Sequence, residues 1–131
     1  MHYTNTITIL KQIRRYAYKD NEDYYNKIKV KAGYQPIHIK KVEETQLYKY
    51  LKECDYLDIR RAVLFIMLGR DYSRYYGGAR GLIRPIEYLE YLSEQRKAMN
   101  LDVNHDIAFI LRSRLEVVSY IDRVLKMLRE E

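Results

Sequence analysis

Residues that interrupt regular structure are scarce in this chain and bunched in one place. Its 131 residues include five glycines and two prolines. Four of those glycines (Gly69, Gly77, Gly78, Gly81) fall between positions 69 and 81, with Pro85 just beyond. Glycine adds backbone freedom and proline removes a helical hydrogen bond, so long stretches without either are free to run as helices. The stretch from 69 to 85 therefore reads as the one clear internal loop, and the segments on either side read as helices.

Apolar spacing fills in those helices. Ile7, Leu10 and Ala17 recur at helical intervals and predict a first helix over roughly 6–19, with Lys11 and Arg15 on its other face. Leu47, Leu51 and Cys54 mark a short helix over about 43–54. Asp55 then stands where an N-cap belongs, opening a helix expected to run to Gly69. From Ala62 to Leu68 that helix is apolar almost all round, the mark of an element packed on several sides. Pro85 is placed to open a further helix to about Ala98. Asn104 is placed to cap the next one, and Ser113 with Glu116 forms a capping-box pattern ahead of Val117 to Leu128. Only 27–40 departs from this scheme, because Ile28 and Val30, then Ile37 and Ile39, alternate with polar residues. A small β-hairpin there and a helix through 22–32 both fit that pattern. The expectation is a mainly α fold, a single compact domain over 1–131 of five to six helices, with room for one minor hairpin near 27–40.

Length and composition agree with that class. A chain this long buries roughly two-thirds of the surface its unfolded form exposes, so it needs no staple. The single Cys54 cannot form an intramolecular bridge. No apolar leader follows the N-terminus, and no uncharged run approaches the roughly 20 residues of a spanning helix. A cytoplasmic protein with no membrane partner is expected, from a bacterial cell or a phage-infected host. The abundance of Lys, Ile, Asn and Tyr and the absence of Trp suit AT-rich coding sequence.

The residues Ala62 to Asp71, AVLFIMLGRD, resemble the hallmark of an uncharacterised bacterial helical domain family, in which an apolar helix closes in Leu-Gly-Arg-(Gly)-Asp. The similarity continues in order along the chain. ILKQIRRYA resembles that family's first helix, LYKYLKECDYLDIRRA the segment leading into the signature, and DIAFILRSRLEVVSYIDRVL its closing helices. The family has no assigned activity, so the resemblance implies a helical fold and no chemistry.

Charge carries most of what the sequence says about partners. The formal net charge is +6. Residues 1–41 hold nine Lys and Arg against three acids, whereas the remainder balances fifteen against fifteen. Such asymmetry points to a polyanion or an acidic partner. Arg14, Arg15 and Lys19 lie together on the first helix, and Lys27, Lys29 and Lys31 form a cationic stripe suited to a phosphate backbone. The glycine-rich loop adds Arg70, Arg74, Arg80 and Arg84 with Tyr72, Tyr75 and Tyr76. Guanidinium forks hold phosphate or carboxylate, and tyrosine rings stack on bases or on a partner's side chains. In the plainer reading of the loop, Arg70 lies near the last carbonyls of the central helix and Asp71 pairs with a neighbouring arginine.

Catalytic patterns are thin by comparison. His2, His38 and His105 are scattered, and no spacing matches a metal site or calls for a cofactor. Glu87, Glu90 and Glu94 share a helix face, which is the usual composition of a solvated surface. Cys54 reads as a small buried hydrophobe and His105 with Asp106 as capping and surface chemistry. The function expected from these residues is non-enzymatic: a protein that engages nucleic acid, or an acidic or nucleic-acid-bound protein, through its basic N-terminus and Arg/Tyr loop. A phage- or mobile-element-encoded inhibitor of a host defence nuclease, similar in size and composition to anti-CRISPR proteins, is the alternative. A small enzyme built on the Glu87 row is a third. A homo-oligomer is compatible with each.

Overall fold

A computed structural model describes residues 3–26, 41–72, 85–99 and 102–130. The described residues form α1 (Thr4–Asp20), α2 (Glu22–Tyr25), a 3-10 turn (Val42–Glu44), α3 (Gln46–Glu53), α4 (Tyr56–Tyr72), α5 (Pro85–Met99), α6 (Val103–Arg112) and α7 (Val117–Glu130), with no strand among them. The mainly α expectation holds. The suggested hairpin over 27–40 lies outside the described residues.

The axis of the fold is α4, which packs against α1, α5, α6 and α7. Its apolar run supplies the reason: Ile59, Ala62, Val63, Phe65, Ile66 and Leu68 are all buried, and no single side of the helix accommodates them. The partners present narrower stripes. Thr6, Leu10, Ile13, Ala17 and Asp20 line one side of α1 at the spacing of successive turns. Val117, Val118, Ile121, Val124 and Met127 do the same on α7.

Helix boundaries follow local hydrogen bonds that the pattern only partly foretold. Asp55 caps α4 as expected, its carboxylate accepting the Leu57 N–H at 2.9 Å. The helix expected over 43–54 is divided at Thr45, whose extended backbone separates the 3-10 turn from α3. Thr45 Oγ1 accepts the Tyr48 N–H at 3.1 Å. The buried carboxylate of Asp20, from the end of α1, accepts the N–H groups of Gln46 at 3.0 Å and Leu47 at 2.9 Å. Those two bonds tie the start of α3 to the end of α1 and satisfy donors that the helix itself cannot. The cap of α6 is Asp102, not Asn104: its side chain accepts the His105 N–H at 3.0 Å. Ser113 ends α6 and its carbonyl accepts the N–H groups of Glu116 and Val117, each at 2.8 Å. The Ser113/Glu116 pair thus sits in the turn between α6 and α7.

Gly69 corrects a further expectation. It does not terminate the central helix, which continues to Tyr72. A Cβ at position 69 would stand 2.0 Å from the carbonyl oxygen of Tyr120 on α7. Glycine is there because two helix backbones meet. The rest of the segment expected to be a loop, residues 73–84, lies outside the described residues.

Candidate anion-binding surface

The cations anticipated from sequence separate into two groups once folded. Arg14 and Arg70 are tied within the fold. The Arg14 guanidinium donates to both carboxylate oxygens of Asp122 on α7, at 2.7 and 3.2 Å, and this bond raises its pKa further above the ordinary arginine value. Arg70 grips Asp71 in the same two-pronged way, at 2.8 and 3.2 Å, and lies over the Phe109 ring at 5.6 Å. Tyr88 from α5 donates a third hydrogen bond to Asp71 at 2.8 Å. Arg70 thereby joins the end of α4 to α5 and α6, and Arg123 Nη1 caps the Gly69 carbonyl at 3.2 Å. The pairing of Asp71 with an arginine follows the plainer reading of this segment.

Lys11, Arg15 and Lys19 form the other group. All three are exposed on α1 at successive intervals of four residues. A helix rises about 1.5 Å per residue, so their attachment points follow one another every ~6 Å along a single face. None of the ion pairs among the described residues involves them. The α1 sequence folds this way because its apolar stripe turns the opposite side of the helix to solvent. Lys27, Lys29, Lys31, Arg74, Tyr75, Tyr76, Arg80 and Arg84 lie outside the described residues, as does the side chain of Tyr72.

A second cationic feature was not read from the sequence. Between α4 and α5 lies a cleft of about 330 Å³. Leu57, Arg60, Arg61 and Leu64 of α4 line one wall, and Ser93, Arg96 and Lys97 of α5 line the other. Both sets follow intervals of three and four residues, so each occupies one helix face. Below them Asp106 of α6 is fully buried. Its Oδ1 accepts from Arg96 Nη2, and its Oδ2 lies 3.3 Å from Arg60 Nε. The expectation of surface chemistry at Asp106 is therefore overturned: it is fully buried, and two arginines from different helices converge on it. Burial, and then the positive charge of Arg60, push the Arg96 pKa below its ordinary value.

The remaining candidates have structural explanations. Glu87, Glu90 and Glu94 are exposed on α5, with Glu94 3.7 Å from Lys97. Among the described residues no three His, Cys, Asp or Glu side chains converge on a point where a metal ion could sit. Cys54 closes α3, half-buried against the core, and burial raises its thiol pKa above the ordinary value. No helix among the described residues is long and apolar enough to cross a membrane. Comparison of the chain with protein-family models, curated proteins and solved structures returns no match.

Proposed function

We propose that this chain is a non-enzymatic binding protein whose basic N-terminal surface engages nucleic acid or a nucleic-acid-protein assembly. The observation that carries the reading is the row of Lys11, Arg15 and Lys19, exposed on one face of α1 and engaged in no ion pair among the described residues. The positive excess of the whole chain resides in the same third of the sequence. Cations that stabilise a fold are matched by carboxylates, as Arg14 is by Asp122. Cations set in line without partners lower the free energy of a polyanion by releasing its counterions.

Fluorescence anisotropy with labelled single-stranded and duplex oligonucleotides tests this. Binding that weakens steeply with salt and that is lost in the Lys11→Gln/Arg15→Gln/Lys19→Gln variant, with melting unchanged, supports the reading. Indifference of the protein to every oligonucleotide at low salt overturns it.

A further inference from the structure

The cleft between α4 and α5 gathers four cationic side chains from two helices. Arg60, Arg61, Arg96 and Lys97 line it. Among the ion pairs of the described residues, the carboxylates that meet them are the buried Asp106 and Glu94, the latter three-quarters exposed beside an equally exposed Lys97. Four cations against two acids leave an excess of two positive charges in one small space. Arg60 and Arg96 share a single carboxylate, and like charges brought together in a partly dry site repel. Arg96 shows the consequence, since its charged form is disfavoured by burial and by Arg60.

Size and lining narrow what would restore the balance. About 330 Å³ lies at the low end of the range of small-ligand sites, roughly 300 to 1,000 Å³, so one compact ligand fits and a folded macromolecular segment does not. A phosphate monoester carries a charge of about −1.5 to −2 at neutral pH, close to the local excess, and its oxygens suit guanidinium forks. The cleft also offers an apolar side. Leu57 and Leu64 line it, and the Tyr56 ring sits 6.0 Å from the Arg60 guanidinium. Tyr56 and Leu57 are 54% and 49% exposed, which leaves both side chains open to an approaching ring.

We infer that this cleft is a nucleotide-sized phosphomonoester site: Arg61 and Lys97 hold the phosphate, Arg60 and Arg96 supply the positive field beneath it, and Leu57 with Tyr56 receives the attached base. Asp106 is a positioning residue that holds the two deeper guanidiniums apart and aimed. A free nucleoside monophosphate and the phosphorylated end of a strand present the same group. The site is separate from the α1 row and does not depend on it.

Isothermal titration of the full chain with adenosine 5′-monophosphate, adenosine, and a short oligonucleotide carrying either a 5′-phosphate or a 5′-hydroxyl tests the inference. The expected result is at least tenfold tighter binding of the phosphorylated member of one or both pairs. Discrimination within the oligonucleotide pair alone assigns the strand end; discrimination within the adenosine pair assigns the free nucleotide. Arg61→Gln and Lys97→Gln, both at exposed positions, are each expected to weaken the phosphorylated ligand roughly tenfold with unchanged melting. Neither should alter binding of the 5′-hydroxyl oligonucleotide through α1. Equal affinity for phosphorylated and unphosphorylated ligands overturns the inference, as do Arg61→Gln and Lys97→Gln proteins that both bind the phosphorylated ligand like the parent, while loss of 5′-hydroxyl binding alone counts only against the α1 surface.

Discussion

Replacing Gly69 with alanine tests the central packing of the fold through a single atom. The added Cβ would lie 2.0 Å from the Tyr120 carbonyl oxygen, 2.8 Å from its carbon and 3.3 Å from its Cα. All three are backbone atoms and cannot rotate away. A comfortable contact is roughly 3.5 Å, so α4 and α7 must part by on the order of 1 Å. That movement loosens the packing around Val117, Ile121 and Val124, all fully buried on α7. Overpacking typically costs about 1 to 3 kcal/mol, and a clash with a rigid partner falls at the upper end. Against it stands the gain of about 1 kcal/mol when alanine replaces glycine inside a helix. The net expectation is a loss of about 2 kcal/mol. Unfolding entropy of roughly 2 cal/mol/K per residue converts this, over 131 residues, into a fall in Tm of about 7 °C. Differential scanning calorimetry reads it directly. A Gly69→Ala protein that melts at or above the parent temperature would show that helix propensity governs this position and that the close approach of the two backbones is wrong.

Other expectations concern the polar groups that join helices. Asp106→Ala leaves Arg96 largely buried without its carboxylate and is expected to cost about 3 to 5 kcal/mol, read by chemical denaturation; a change below 1 kcal/mol would mean that Arg96 finds solvent easily. Asp20→Ala removes the acceptor for the Gln46 and Leu47 amides and should cost about 1 to 2 kcal/mol, with hydrogen exchange accelerating first at the start of α3. Uniform protection across that segment would argue against the cap. Burial raises the Cys54 pKa from its ordinary 9.0, so the neutral thiol is the form the fold favours. Its contribution to stability is complete below that ordinary value and is lost as pH rises through the higher folded value, whereas Cys54→Ser should flatten this part of the stability profile. Alkylation at neutral pH should be slower in the folded protein than in urea, and equal rates would contradict the assignment.

How much of this was legible in the sequence depended on the range of the interactions involved. The central helix announced itself, because a run such as Ala62 to Leu68 has no polar side to offer solvent. Asp55 was readable as a cap since the bond it makes spans two residues. Asn104 was misread for a local reason: Asp102 and Asn104 are equally good caps, and the pattern does not choose between them. Gly69 and Asp106 were misread for a different one. By local rules a glycine after an apolar run ends a helix, yet its lack of a Cβ is used here against a residue fifty-one positions away. Asp106 resembles any acid in a first helical turn until Arg60 and Arg96 arrive from two other helices. The cleft was present in the sequence as Leu57, Arg60, Arg61, Leu64 and as Ser93, Arg96, Lys97 at helical intervals. Periodicity places each set on a face without saying that the two faces meet. Arg15 and Lys19 were legible from their own helix, whereas Arg14, grouped with them, is held by Asp122 of α7, and Lys11 takes its place in the exposed row.

If the row of Lys11, Arg15 and Lys19 binds a polyanion as proposed, the slope of affinity against salt carries its signature. Each phosphate neutralised on duplex DNA contributes about −0.9 to the slope of log K against log salt, so three cations supply about −2.7. Affinity through them should fall roughly 40-fold between 50 and 200 mM salt. The Lys11→Gln/Arg15→Gln/Lys19→Gln variant should lose about that much slope and, near 0.1 M salt, up to roughly 500-fold in affinity while melting like the parent. A parent protein whose binding is insensitive to salt, or a triple variant with the parent's slope and affinity, would contradict the account.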